Sequence, residues 1–167
     1  MKRFQFLLLD TGPIIELCRL GIWDTFIQRC NVTITRTVAI EAKYASLEFE
    51  DIRIDLESVE IQSLVKIIDV DIPVVKTFYD KFDLLYKAII DPGEKETLAF
   101  LYNSSEDWFV CAADKAVFRV LGLLGLGRKG ISLEEFLEEV GLPRDMKPQY
   151  KKKYREKWTQ IGQVDSI

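Results

Sequence analysis

The sequence contains no histidine among its 167 residues. Without an imidazole there is no Ser-His-Asp or Cys-His nucleophile pair, no histidine general base, and no ordinary zinc site built from His with Cys or Asp. Any chemistry must come from carboxylates, lysines, hydroxyls, thiols or a bound ion. Cysteine is scarce and odd in number. Cys18, Cys30 and Cys111 sit among apolar neighbours with no CxxC spacing, which suits reduced core thiols in a cytosolic protein. Long apolar runs are missing too. The patch at residues 4–9 contains Gln5 and ends at Asp10, too short for a signal peptide or a membrane span. A soluble, cytoplasmic protein with no membrane partner is expected. Its length suits one domain, or a domain with an appendage, that buries a core without disulfides.

Short apolar runs at residues 4–9, 32–35 and 108–111 read as buried strands, and each is followed by a helical pattern. After the first run, Ile14, Ile15, Leu17, Cys18 and Leu20 fall at helical spacing with Pro13 in the first turn. Residues 37–46 favour helix, residues 56–65 form another expected helix, residues 66–70 a short strand, and residues 74–85 an amphipathic helix. Asp91-Pro92-Gly93-Glu94 spells a helix start, with Asp91 as N-cap, Pro92 first and Glu94 as the reciprocal capping partner, for a helix to about Asn103. A helix over residues 117–124 precedes the glycine-rich loop 125–130, and Ser132 with Glu135 opens a helix through Val140. Strands alternating with helices predict an α/β domain with a mainly parallel sheet.

The sequence divides at about residue 142. Residues 1–142 form the expected α/β domain and residues 143–167 a basic, aromatic tail, partly helical. Residues 144–157 hold seven bases and two acids, a balance of +5, so the rest of the chain must supply −9 to give the overall −4. Tyr150, Tyr154 and Trp158 recur every four residues, along one side of a helix. The tail has two readings. Lys151, Lys152, Lys153 and Arg155 could contact RNA phosphates while the aromatics stack on bases. Alternatively the aromatic stripe packs on the domain or on a partner subunit and leaves the lysines solvated, which the helical spacing favours.

Open parallel sheets bind ligands beyond the carboxyl ends of their strands, where no helix covers the crevice. Asp10 and Asp114 each lie just past a predicted strand. Two carboxylates at one edge repel unless a proton or cation lies between them, and a hard divalent ion, Mg²⁺ or Mn²⁺, is the natural neutraliser for oxygen ligands. Glu41 and one acid from residues 91–96 could complete the cluster. Glu94 and Glu96 lie roughly 200° apart around a helix and cannot both face one site. If Glu94 closes the capping box, Glu96 is the ligand. Singly, each of these acids could equally be a cap or a solvated side chain.

These residues also carry a family resemblance. Leu7-Leu8-Leu9-Asp10-Thr11-Gly12-Pro13-Ile14-Ile15 resembles the opening motif of PIN-domain ribonucleases, and Val38-Ala39-Ile40-Glu41 their second acidic motif. Gly93-Glu94-Lys95-Glu96-Thr97-Leu98-Ala99 resembles the Gly-Glu-x-Glu helix of one branch, with Glu96 at the third acidic position. Phe109-Val110-Cys111-Ala112-Ala113-Asp114-Lys115 is similar to the fourth. The similarity spans roughly residues 4–126. Ala112 stands where members often carry Ser or Thr, and Ala113 where that branch often carries Asp.

The resemblance implies a three-layer α/β/α fold and an endoribonuclease dependent on Mg²⁺ or Mn²⁺, often the toxin of a toxin–antitoxin pair and commonly a homodimer. In that reading Asp10, Glu41, Glu96 and Asp114 are catalytic. Asp10, Glu96 and Asp114 hold metal, Glu41 ligates or orients the attacking water, and Thr11 supports Asp10 from behind. The alternative keeps the fold as a catalytically weak or inactive module that binds RNA or a protein. Asp10-Thr11-Gly12 also matches the aspartic-protease signature, but that site needs all-β lobes, which the helical segments oppose. A phosphatase with a nucleophilic Asp would want an acid where Gly12 stands. The glycine-rich stretch lacks the Gly-Lys-Ser/Thr ending of a phosphate loop.

Overall fold

A computed structural model describes residues 6–48, 54, 56 and 63–165, with the side chains of residues 46–48 excepted. Five short strands, β1 (Leu7–Leu9), β2 (Val32–Thr35), β3 (Val65–Ile68), β4 (Phe109–Cys111) and β5 (Gly130–Ile131), form one parallel sheet in the order β3-β2-β1-β4-β5. The chain builds outward from β1 through β2 to β3, then crosses back to lay β4 and β5 on the other side. Strand order therefore reverses between β1 and β4. A crevice opens at such a point because the connections leave the sheet in opposite directions.

The central strands are buried on both faces, as expected where helices cover a parallel sheet. Side chains alternate along a strand. Leu7, Leu9 and Cys111 enter one core, while Leu8 and Val110 enter the other. The first core is closed by α1 (Thr11–Arg19), α2 (Trp23–Arg29), α3 (Arg36–Glu48) and α8 (Leu133–Glu139), through Ile14, Leu17, Phe26, Val38 and Phe136. The second is closed by α4 (Ile72–Tyr79), α5 (Leu84–Ile89), α6 (Pro92–Asn103) and α7 (Lys115–Leu123), through Phe78, Tyr86, Leu98, Phe118 and Leu121. Burying each of these large apolar side chains contributes about 2 kcal/mol. The result is a three-layer α/β/α fold.

Several elements differ from the sequence expectation. The helix expected over 74–85 is two helices: the first ends at Tyr79 with Asp80 as its C-cap, and Asp83 caps the next, accepting the Tyr86 N–H at 3.0 Å. Both sides of the break face the same core through Phe78 and Tyr86, so the apolar period runs across it. The helix α2 and the two-residue strand β5 carry no expectation. Most of the helix expected over 56–65 lies outside the described residues, and its end falls in β3. Both expected capping boxes are present, at Asp91/Glu94 and Ser132/Glu135.

Residues 152–165 form α9 (Lys152–Asp165), which packs against α7 rather than standing apart from the domain. The two backbones touch. A Cβ on Gly162 would lie 1.9 Å from the Arg119 carbonyl oxygen, and one on Gly122 2.0 Å from that of Thr159. Only glycine permits this approach. The aromatic stripe is packed, with Tyr154 edge-on to Phe118 at 6.5 Å and to Trp158 at 6.2 Å. Among the described residues, no helix is long and apolar enough to cross a membrane. All three cysteines are free thiols, with Cys30 and Cys111 buried.

Candidate active site: an acidic cleft at the sheet's carboxyl edge

Asp10 follows β1 directly. Its N–H donates to the Cys111 carbonyl at 3.0 Å, continuing the β1–β4 ladder one residue beyond the strand. It occupies the N-cap position of α1, yet its carboxylate bonds the adjacent Thr11 N–H rather than one deeper in the helix. Asp114, at the end of β4, caps α7 by accepting the Ala116 N–H at 2.8 Å. These two acids flank the switch point.

Two helices bring further carboxylates. The Val38 N–H donates to Thr35 Oγ1 at the start of α3, and one turn further on the helix carries Glu41. Thr11 Oγ1 donates to Glu41 Oε2 at 2.7 Å, and the Gly93 N–H in the first turn of α6 donates to the same carboxylate. A Cβ on Gly93 would lie 2.6 Å from Glu41 Oε2 and 2.8 Å from Oε1. Glycine there lets the carboxylate reach the positive end of the helix. In the capping box, the Glu94 N–H donates to Asp91 Oδ1 at 2.8 Å and the Asp91 N–H donates to Glu94 Oε2 at 3.1 Å.

A cleft of about 240 Å³ joins these groups, lined by Asp10, Thr11, Gly12, Glu41, Asp91, Glu94, Ala113, Asp114, Gln149 and Tyr150. Among the described residues, five carboxyl groups line it and no lysine or arginine does. The electrostatic consequence is large. Asp10, 7% exposed, is pushed up to about 7, mainly by burial and then by the charges of Asp91, Glu41 and Asp114, with the Thr11 N–H pulling the other way. Glu94, 2% exposed, is driven far above the carboxylate range, by burial first and then by Asp10, Asp114 and Asp91. Burial also raises Glu41, aided by Asp91 and Glu96, while its bonds from Thr11 and Gly93 partly counteract this. Burial and like charges both favour the protonated form.

The structure brings Asp10, Glu41 and Asp114 together and leaves Glu96 out. Glu96 lies across the first turn of α6, in a neighbouring cavity, where the Thr37 hydroxyl donates to it. The 200° separation of Glu94 and Glu96 holds. The face differs from expectation because closing the capping box does not remove Glu94 from the cleft. The cap uses Oε2 alone, and a carboxylate has a second oxygen. Thr11 likewise differs, since its hydroxyl holds Glu41 and only its N–H serves Asp10.

In the tail, Arg155 is paired two-pronged with Glu135, at 2.7 and 2.8 Å, and so is committed within the fold rather than free for phosphate. Lys152 pairs with Glu156 at 3.7 Å, and Lys151, Lys152 and Lys153 are exposed. Tyr150, expected in the aromatic stripe, instead reaches 138 residues back to donate to the Gly12 carbonyl at 3.3 Å and, with Gln149, walls the cleft, which no local pattern signals. As placed, no three acidic, cysteine or histidine side chains among the described residues close on one point as the ligands of an ion must. No known protein-family profile and no curated protein matches the sequence.

Proposed function

We propose that the protein is a Mg²⁺- or Mn²⁺-dependent endoribonuclease of the PIN-domain kind. The observation that carries this is the cleft itself: among the described residues, five carboxyl groups line it at the switch point of a parallel sheet, Asp10 and Glu94 buried, Glu41 half-buried and Asp91 and Asp114 exposed, with no cationic side chain in the lining. Burying unpaired acids destabilises a fold, and a hard divalent cation relieves the repulsion. The donor set fits such an ion in type, being all oxygen, and in charge. It is not yet closed around a centre, and a cation supplies the attraction that would draw the side chains inward.

Asp10, Glu94 and Asp114 are the residues that would hold the metal, with Asp91 behind Glu94. A bound ion supplies a water of lowered pKa and offsets charge on the scissile phosphate. Glu41, fixed by the Thr11 hydroxyl and the Gly93 N–H, is positioned to orient that water and accept its proton, and its raised pKa suits a general base. Thr11 thus positions Glu41. Tyr150 and Gln149 form the wall against which a strand would lie. The family resemblance extends the proposal to a toxin held by an antitoxin protein.

The test is cleavage of mixed RNA in Mg²⁺ or Mn²⁺. Asp10→Asn and Glu94→Gln are each expected to lower the rate by about a hundredfold or more, exceeding the loss typical of outer ligand-supporting groups. A wild-type protein inert in both metals, or Asp10→Asn cleaving at the wild-type rate, refutes the nuclease and leaves a non-catalytic binding module.

A further inference from the structure

A second cavity, of about 420 Å³, opens across the first turn of α6 from the acidic cleft. The two share their walls. Helix α3 gives Thr37 to the cavity and Glu41, one turn on, to the cleft, while α6 gives Pro92, Lys95 and Glu96 to the first and Asp91 and Glu94 to the second. The charge of Glu96 is felt at Glu41. A strand held in the cleft therefore has an adjoining slot within reach.

The slot's chemistry differs from that of the cleft. Its walls are largely apolar, from Val70, Ile72, Val75, Tyr79 and Pro92, and Lys76, which also lines it, is paired with Asp80 at 2.7 Å. Within them sits Glu96, only 9% exposed, taking one hydroxyl bond from Thr37. An ionised carboxylate offers about four acceptor sites and no donor, so most of its capacity remains. Lys95 rests its ammonium on the Tyr79 ring at 4.3 Å and makes no ion pair among the described residues, which leaves a positive charge at the rim for a phosphate. A flat, largely apolar ligand with N–H donors on one edge and phosphate beside it is a nucleotide. Guanine is the base that presents two adjacent N–H donors on its Watson–Crick edge, the complement of one carboxylate, and unpaired bases are read on that edge.

We infer that this cavity is a nucleobase subsite, seating one unpaired guanine beside the scissile phosphate with Glu96 accepting from its N1–H and N2–H groups. The inference rests on the nuclease reading for its placement, and Glu96 thereby acquires a role in recognition instead of metal binding.

The experiment sequences the ends produced from random single-stranded RNA and, separately, titrates GMP and UMP into the wild-type protein in EDTA, followed by NMR shifts of the valine methyls. Wild-type protein should favour guanine at one position flanking the cut, and Glu96→Gln should reduce the guanine-over-adenine ratio about tenfold, the scale of one two-pronged base contact. Ile72→Trp, at a rim position 82% exposed and so tolerant of change, should fill the slot and reduce the same ratio if Glu96→Gln does not fold. The ratio comes from one preparation of cleaving enzyme, so a merely structural effect does not move it. Cleavage with no preference there, with another base preferred, or with a guanine preference that both variants leave unchanged, overturns the subsite while the nuclease stands. No cleavage, with GMP bound over UMP and the difference lost in Glu96→Gln, upholds the guanine slot and overturns the nuclease. Neither cleavage nor GMP binding overturns both.

Discussion

The acidic cleft and the surfaces on which α9 packs treat charge in opposite ways. Around α9, against α7 and α8, several charges meet a partner. Arg155 grips Glu135, Arg119 bonds Asp165 at 2.9 Å, and Lys115 and Lys157 lie over the Trp158 ring at 5.2 and 5.1 Å. Among the described residues, five carboxyl groups line the cleft with no cationic side chain beside them. Helix α9 of the basic tail therefore packs into the fold, while five acids of the rest of the chain line one strand edge. Charge that is neutralised locally holds elements together. Charge left without a partner at a sheet's carboxyl edge marks the place where a ligand of opposite sign belongs.

The largest test of this contrast concerns stability against pH. Moving a buried carboxyl from 3.8 to about 7 costs about 4 kcal/mol once it is ionised in the fold. Asp10 is raised, so its contribution favours the fold below the unfolded value, near 4, and is lost as pH climbs through 7. Asp10→Asn in EDTA should match wild type near pH 4 and exceed it by about this amount above pH 7, by urea unfolding. A difference that stays flat from pH 5 to 8 would show that the cleft is not strained by its charge. Mg²⁺ should then raise the wild-type midpoint more than the variant's.

The next test breaks the other side of the comparison. Gly162→Val places a methyl-bearing carbon on the Arg119 carbonyl, and neither backbone can yield without separating α7 from α9. A loss of about 3 kcal/mol is expected at any pH. Thermal melts indistinguishable from wild type would mean that the helices do not touch there.

The smallest effect is confined to the cleft. Gly93→Ala meets only the end of the Glu41 side chain, so the midpoint of unfolding should change little while metal-dependent cleavage falls about tenfold, as when a positioned group is displaced. An unchanged rate would remove Glu41 from the machinery.

How much of this was legible in the sequence depends on the range of the interactions. The strands at 32–35 and 108–111 and both capping boxes follow from residues within a turn of each other, and the structure contains them. The order of acids along the chain placed Asp10, Glu41 and Asp114 at one edge. Glu94 lines the cleft where Glu96 is expected, because the sequence rule treats a capping carboxylate as used up. Strand β5 is two residues long and exists only by pairing with β4, where Val110 meets Gly130 and Cys111 meets Ile131. The break before Asp83 was masked by an apolar period that resumes beyond it. The spacing of Tyr150 makes it part of a stripe, and nothing local connects it to Gly12.

That last contact has a consequence for the protein's birth. Leu8 pairs with Val110, and Tyr150 ties down Gly12, so the earliest acid to be synthesised waits for β4 and then for the turn at Pro148–Tyr150 before its surroundings exist. A nascent chain that has made all five acids still lacks one wall of the cleft. The cleft is thereby timed by translation, complete only after the segment that carries Tyr150 has left the ribosome and docked.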